Sequence, residues 1–327
     1  MTGAGDSKLR APGRLRAFLN AIRLWFDNSR FDDEATEDGK RVDWVRCIPF
    51  IALHLACGFA FVVGVSATAV FVAVALYALR MFAITGFYHR YFSHRSFRTS
   101  RPVQFLFAFV GATSVQRGPL WWAGHHRNHH RYSDEPNDVH SPRQHGTLWS
   151  HMGWFMSRAG FATPKGTVPD LERYPELRFL DRFDVFAPAV LALALYFGGE
   201  ALARSYPHLG TSGWQLVVWG FVISTVVLFH ATCTINSLSH VFGKRRYATT
   251  DDSRNNLWLA LVTFGEGWHN NHHRYPHSVR QGFAWWEVDF TYYGLRALAA
   301  CRLISDLKPV PESVYPGEAL PADREPG

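Results

Sequence analysis

The sequence has only four cysteines in 327 residues (Cys47, Cys57, Cys233, Cys301), and no two form a CxxC pair. That argues against a disulfide framework or a cysteine-built metal site, and the cysteines read as reduced, small hydrophobes. Lysine is scarce, so the net charge of +7 is carried almost wholly by arginine. No run of basic residues forms a dense stripe, which makes nucleic acid the weakest of the partners that a basic balance suggests; an anionic membrane surface or substrate fits better. Residues 1–40 lack a signal-peptide core followed by a cleavage site, so secretion is not indicated. There is no internal repeat and no low-complexity linker. Of the paired Glu-x-x-His motifs of soluble di-iron proteins only one exists, Glu266 to His269, and that class is disfavoured.

What the chain does have is concentrated. Its composition is 47% apolar, ordinary for a soluble protein, but the apolar residues gather in blocks. No charged residue falls between Ile48 and Leu79, which leaves room for two membrane spans with a tight turn near Gly64 to Ala67. Arg80 lies inside the second span and must reach an interface or a polar partner. A second pair follows, giving spans at about 48–64, 67–87, 185–204 and 214–235. The link Glu200 to Gly213 carries one arginine, whereas the remaining segments are basic, so both hairpin tips are expected outside and both termini in the cytoplasm. Residues 1–46 read as a basic segment whose Leu15, Phe18, Leu19, Ile22, Trp25 and Phe26 repeat at helical spacing. Either a membrane-surface helix or a helix packed on the main domain satisfies that pattern. A domain at 47–308 follows, and then a frayed tail from Pro309 to Gly327.

The 17 histidines are the unusual feature. His89 and His94 stand five apart, about 140° from each other on an ideal helix, so the helix must end or distort if both serve one site. His126, His129 and His130 fall at i, i+3 and i+4, on one helical face. His269, His272 and His273 repeat that HxxHH pattern, and His240 shares a face with Asn236. The four-span topology delivers every group to one membrane side. Nine imidazoles are too many for one metal and about right for two, and a dinuclear, redox-active iron site fits the count better than zinc. His140, His145, His151 and His277 are expected to bond to backbone in loops, and Arg127 to point away from the metal. His54 and His230, within spans, are candidates for supporting or tunnel residues.

These boxes and their flanks, including His94-Arg-Ser-Phe97, Asn236-Ser-Leu-Ser-His-Val-Phe-Gly243 and Gly265-Glu-Gly-Trp-His-Asn-Asn-His-His273, resemble the membrane acyl-CoA (stearoyl-CoA-type) and acyl-lipid delta-9 desaturases. The likeness runs from about Val42 to Lys308. It implies an all-α membrane protein: four transmembrane helices under a cytoplasmic helical cap with a di-iron site. By the resemblance the iron ligands are His89, His94, His126, His129, His130, His240, His269, His272 and His273, with Asn236 reaching iron through water. The implied reaction inserts a cis double bond into a saturated acyl-CoA or lipid-linked chain, with O2 and two electrons from a separate donor (a ferredoxin, a cytochrome b5-like protein or a flavoprotein reductase). Animal acyl-CoA members carry Arg-Asp where this chain has Gly124-His125, so a bacterial-type enzyme of an inner membrane is the nearer comparison. His125 is expected to support the ligands in place of the aspartate, as is Glu266. Trp121, Trp122, Trp154 and Trp268 are candidate tunnel residues. The alternatives are a hydroxylase of the same di-iron superfamily, which typically lacks the Asn236-x3-His240 element, and a non-enzymatic metal-binding membrane protein.

Overall fold

The computed structural model describes residues 18–19, 22–28 and 40–314. The start of the predicted amphipathic helix (Leu15) and the tail from residue 315 lie outside the described residues. Four helices are long and apolar enough to cross a membrane: α1 (Trp44–Val63), α2 (Ala67–Ser93), α7 (Phe186–Ser205) and α8 (Gly213–His240). Between and after them run α3 (Arg101–Ala112), α4 (Pro119–Tyr132), α5 (Trp149–Gly153, continued by the turn Trp154–Met156), α6 (Pro175–Arg182), α9 (Leu257–Val262), α10 (His269–Arg274) and α11 (Phe290–Ala300). A two-stranded ladder pairs β1 (Arg98–Thr99) with β2 (Ile304–Ser305), antiparallel.

The hairpin between α1 and α2 turns where the sequence predicts. Gly64 has φ 68°, a conformation that favours glycine, and Ser66 Oγ caps α2 by accepting from the Ala69 amide at 3.1 Å. At the far hairpin, α7 and α8 meet at Gly199 and Gly213; a Cβ on Gly199 would fall 2.6 Å from the Gly213 Cα. Only small residues permit that approach.

Arg80 finds polar partners instead of an interface. It donates to Leu76 O, Thr113 O, Gly220 O, Thr225 Oγ1 (2.6 Å) and Ser224 Oγ (2.7 Å). Among the described residues no carboxylate pairs with it. Thr113 directly follows α3, so the cation faces that helix's carbonyl end, where the backbone dipole is negative.

α2 continues past its apolar stretch as wide π-type turns over Ala83–Ser93. These are entirely buried and stack Phe87 on Phe107 at 3.9 Å. This is the distortion that the spacing of His89 and His94 requires: with i→i+5 bonding, residues five apart come onto one face. The His94 amide donates to His89 O at 3.3 Å.

The segment 22–28 packs on the body of the protein. Asn28 donates to Asp181 O, Arg182 pairs with Asp27, and Arg46 reaches the Asn28 amide oxygen. Phe18, Leu19 and Phe26 remain exposed. At the other end, Val310 and Val314 are buried beside Tyr247 and Phe283. The expectation of fraying from Pro309 is therefore corrected: packing continues to residue 314.

Candidate metal centre

Each histidine box is held by a local device. α4 begins with Pro119 in its first turn, and the Asp181 carboxylate accepts from the Trp121 amide at 2.9 Å. Burial raises the Asp181 carboxyl to about 6. Arg127 turns away from the cage, as expected; it donates to Phe92 O and Ser93 O and pairs with Asp170, locking the end of α2 to α4. α10 is only six residues long and depends on the asparagines spelled within its box. Asn255 Oδ1 accepts from the Asn270 and Asn271 amides. Asn270 Oδ1 receives the amides of Arg246 and Tyr247, both at 2.7 Å. At the end of α8 a tight 3₁₀ turn, Leu238–His240, carries the last histidine inward.

The nine predicted histidines come together in two adjoining groups. His89, His94, His126, His130 and His272 form one, and His129, His240, His269 and His273 the other. Within each, one ring nitrogen per residue lies within 4.8 Å of every other. Nε2 of His272 is 3.0 Å from that of His89 and 2.8 Å from that of His130. Those of His94 and His126 are 2.8 Å apart, and those of His240 and His269 3.1 Å. His130 and His273 stack at 4.5 Å and join the groups.

Carboxylates grip the outer edges of these rings. Nδ1 of His129 bonds Asp138 at 2.9 Å, His240 bonds Asp134 at 2.9 Å, His273 bonds Asp251 at 2.6 Å, and His89 bonds Glu266. Glu266 also pairs with Arg90, which is held by Asp289 as well. Burial alone would raise the Asp134, Asp138 and Asp251 carboxyls, but the histidines and further donors hold them well below the usual carboxylate range. Burial, reinforced by neighbouring rings, keeps His94, His126, His130, His269 and His272 well below the ordinary histidine value. They are therefore neutral, the form that binds metal.

The donor set fits two metal ions. With Nδ1 protonated toward a carboxylate, His273 presents a buried Nε2 that has no hydrogen-bond partner. Facing lone pairs at 2.8–3.1 Å repel unless a cation lies among them. A closed group of five and one of four, with Asn236 beside them, could hold one ion each.

Of the supporting residues, Glu266 stands where expected. His125 does not: its Nε2 meets Ala162 O at 2.9 Å and its ring packs on Trp121 and Trp154. Three aspartates supply the role assigned to it. His145 and His277 bond to backbone as expected, but His140 is buried and stacks on His129 at 4.5 Å. His54 and His230 bond to each other instead of supporting the centre, and His151, expected on backbone, bonds His230 and lies 3.0 Å from Ser237 Oγ.

Two cavities meet at the cage. One of about 40 Å³ lies between the groups, touching His89, His126, His129, His269 and Asn236; it holds roughly two or three water-sized molecules. The second, of about 450 Å³, shares Trp122, His126, Thr232 and Asn236 with the first and runs past Trp121 and Trp154 into the helices. Gln116 ties the junction, donating to Thr232 Oγ1 at 3.0 Å while accepting from Trp122 Nε1. Trp268 lines neither of these cavities, because its indole is turned to Val288 O. α1 and α7 each pack on α8 with little contact between themselves. The slot between them has cavity-lining Pro49 and Ala189 exposed on its two lips. Leu24 and Trp25 also line the cavity.

A bundle with four helices long and apolar enough to cross a membrane, whose buried histidine cage adjoins a largely apolar cavity, fits an integral-membrane oxidoreductase. The chain belongs to the fatty acid desaturase family: residues 65–303 match that family. It is 36% identical to the sn-1 stearoyl-lipid 9-desaturase of Anabaena variabilis, over 84% of this chain and 97% of that one. It is 37% identical to the sn-1 stearoyl-lipid 9-desaturase of Synechocystis, over 96% and 95%. The icosanoyl-CoA 5-desaturase of Limnanthes douglasii is 36% identical over 71% of this chain and 62% of its own length.

Proposed function

We propose that this enzyme inserts a cis double bond at the delta-9 position of a saturated acyl chain that is esterified to a membrane lipid. The observation that carries the reading is the slot between α1 and α7, whose exposed lips Pro49 and Ala189 lead along the cavity to the cage. A chain still attached to its lipid can slide in sideways, without leaving the bilayer. The Arg-Asp pair of animal acyl-CoA members is replaced by Gly124-His125, which agrees with a lipid-linked substrate. The 9-desaturase relatives named for stearoyl-lipid substrates support the same choice.

The nine histidines would hold two iron ions, with Asn236 reaching one through water. When bound, iron supplies the oxidising power that no side chain has for removing hydrogen from an unactivated methylene. The overall change is balanced: a saturated chain, O2, two electrons and two protons give the alkene and two waters. The protein's own residues do the rest. Asp134, Asp138, Asp251 and Glu266 keep protons on Nδ1, so that Nε2 stays a donor. Met81, Ile84 and Trp122 line the small cavity and keep it poor in water. The junction at Gln116, Trp122 and Thr232 orients the chain, which is where rate is gained by position.

Electrons come from a separate donor. A polar recess of about 220 Å³ beside the cage, bounded by Arg131, Arg274, Glu135, Asp251, His130 and His273, is where it would dock. We place the cage, this recess and both termini on the cytoplasmic side, because the basic segments lie there.

The test is expression in a bacterial host unable to make unsaturated fatty acids, with double bonds mapped by mass spectrometry. Purified enzyme is then offered one saturated chain as a phospholipid or galactolipid ester and as the acyl-CoA. Turnover of the lipid ester is expected, with the bond at carbon nine; consumption of acyl-CoA alone would overturn the lipid-linked reading.

A further inference from the structure

Three histidines outside the metal centre form a chain of their own. His54 Nε2 on α1 lies 2.9 Å from His230 Nε2 on α8, and His230 Nδ1 lies 2.9 Å from His151 Nε2 on α5. At one end His54 Nδ1 donates to Phe50 O at 2.8 Å. At the other, His151 Nδ1 is 3.0 Å from Ser237 Oγ. A carbonyl can only accept, so His54 carries its proton on Nδ1 and accepts at Nε2. His230 then donates from Nε2 and accepts at Nδ1, and His151 donates from Nε2; Ser237 Oγ, beside His151 Nδ1, donates to Cys233 O at 2.9 Å. Each ring-to-ring bond thus has one donor and one acceptor. Burial, which keeps His151 below the ordinary histidine value, agrees with that assignment.

The chain ends on a main-chain carbonyl inside a membrane helix, so it conducts protons to no destination. Its rings are joined end to end, not around a common point, so it is not a metal site either. What it does is tie three elements together. In front of it stand Phe50, Phe155 and Phe229, one from each of the same elements, in mutual contact at 5.4, 5.1 and 5.1 Å. All three line the 450 Å³ cavity. Phe229 directly precedes His230, Phe50 lies one turn before His54, and Phe155 lies one turn after His151.

We propose that the His54–His230–His151 chain is a positioning latch that fixes the Phe50–Phe155–Phe229 wall of the acyl cavity, and with it the carbon at which the chain is desaturated. The proposal rests on reading that cavity as the acyl site. Because a misplacement of about 1 Å costs on the order of 100-fold in rate, a loosened wall lets adjacent carbons compete.

The test compares His230→Phe, which breaks both ring-to-ring bonds, with His54→Leu, which breaks one, and with His151→Gln, whose amide can still donate to His230 Nδ1. Each full-length variant is expressed in the host without unsaturated fatty acids, and the ratio of double-bond positional isomers is measured. Only folded molecules make product, so the ratio is independent of yield. His230→Phe and His54→Leu are expected to raise the minor isomers on the order of tenfold, with His151→Gln staying near the unsubstituted ratio. An unchanged ratio in both disrupting variants overturns the latch. Loss of product in all three, with the unsubstituted protein active, overturns it too, since the chain would then serve folding alone. Absence of product from the unsubstituted protein would instead strike the reading of the cavity.

Discussion

Replacing Asp251 by asparagine isolates what a supporting carboxylate does for the proposed iron site. Asp251 Oδ2 accepts from His273 Nδ1 at 2.6 Å, while Oδ1 accepts from the Ser253 amide at 3.0 Å and from Thr249 Oγ1 at 3.0 Å. Asparagine has one acceptor oxygen and one NH2 group, so it cannot satisfy both sides. With its oxygen toward His273, the NH2 group confronts the Ser253 amide; turned over, it confronts Nδ1–H. His273 then loses its charge-assisted anchor, and its Nε2 is no longer aimed. Removing a partner of this kind typically costs 10–100-fold in metal affinity, about 1.4–2.8 kcal/mol. The loss should fall on the four-histidine group alone, because Asp251 touches no ring of the other. Iron per protein, titrated against a chelator, is expected to drop from two towards one at chelator levels that leave the unsubstituted enzyme intact, and product should fall with it. Two irons retained at equal chelator, with normal product, would refute the reasoning.

His272→Ala removes the ring whose Nε2 lies nearest both His89 and His130; product should fall by more than the ~100-fold that loss of a supporting partner reaches, with membrane insertion intact. Ala189→Trp, on an exposed lip of the slot, should slow desaturation of lipid esters about tenfold, a barrier of ~1.4 kcal/mol; unchanged turnover at normal iron content would remove the slot as the entry. Asp181 titrates the other way from the aspartates of the cage. Its folded value, near 6, lies above the unfolded one, so its contribution to stability is present below about pH 4 and is lost as pH rises through 6. Asp181→Asn, which can still accept from Trp121, should raise the melting temperature at pH 7.5 by the equivalent of up to about 3 kcal/mol and leave it unchanged at pH 4; equal gains at both values would contradict the assignment.

Much of the centre is legible in the chain before folding. His126, His129 and His130 share a face because a helix repeats every 3.6 residues, and the same holds for Asn236 and His240. The uncharged runs force membrane spans, and counting spans puts every box on one side. The spacing of His89 and His94 called for a helix that ends or distorts if both serve one site, and the wide turns of Ala83–Ser93 are such a distortion.

What the tertiary structure decided lies where no periodicity governs. Asp134, Asp138 and Asp251 sit in loops outside the boxes, and their meeting with His240, His129 and His273 depends on how distant segments are routed. The five-and-four division of the histidines cuts across the boxes, splitting His126 and His130 from His129 and His272 from His269 and His273, since neighbouring rings on one helix can point into different pockets. His125 reads as a ligand's neighbour in sequence, yet packing carries it to the wall of the channel. The pairing of His54 with His230 and the slot between α1 and α7 likewise exist only once four helices lean on one another. Local spacing determines which side chains can share a face; which faces meet is fixed by the packing of the whole chain.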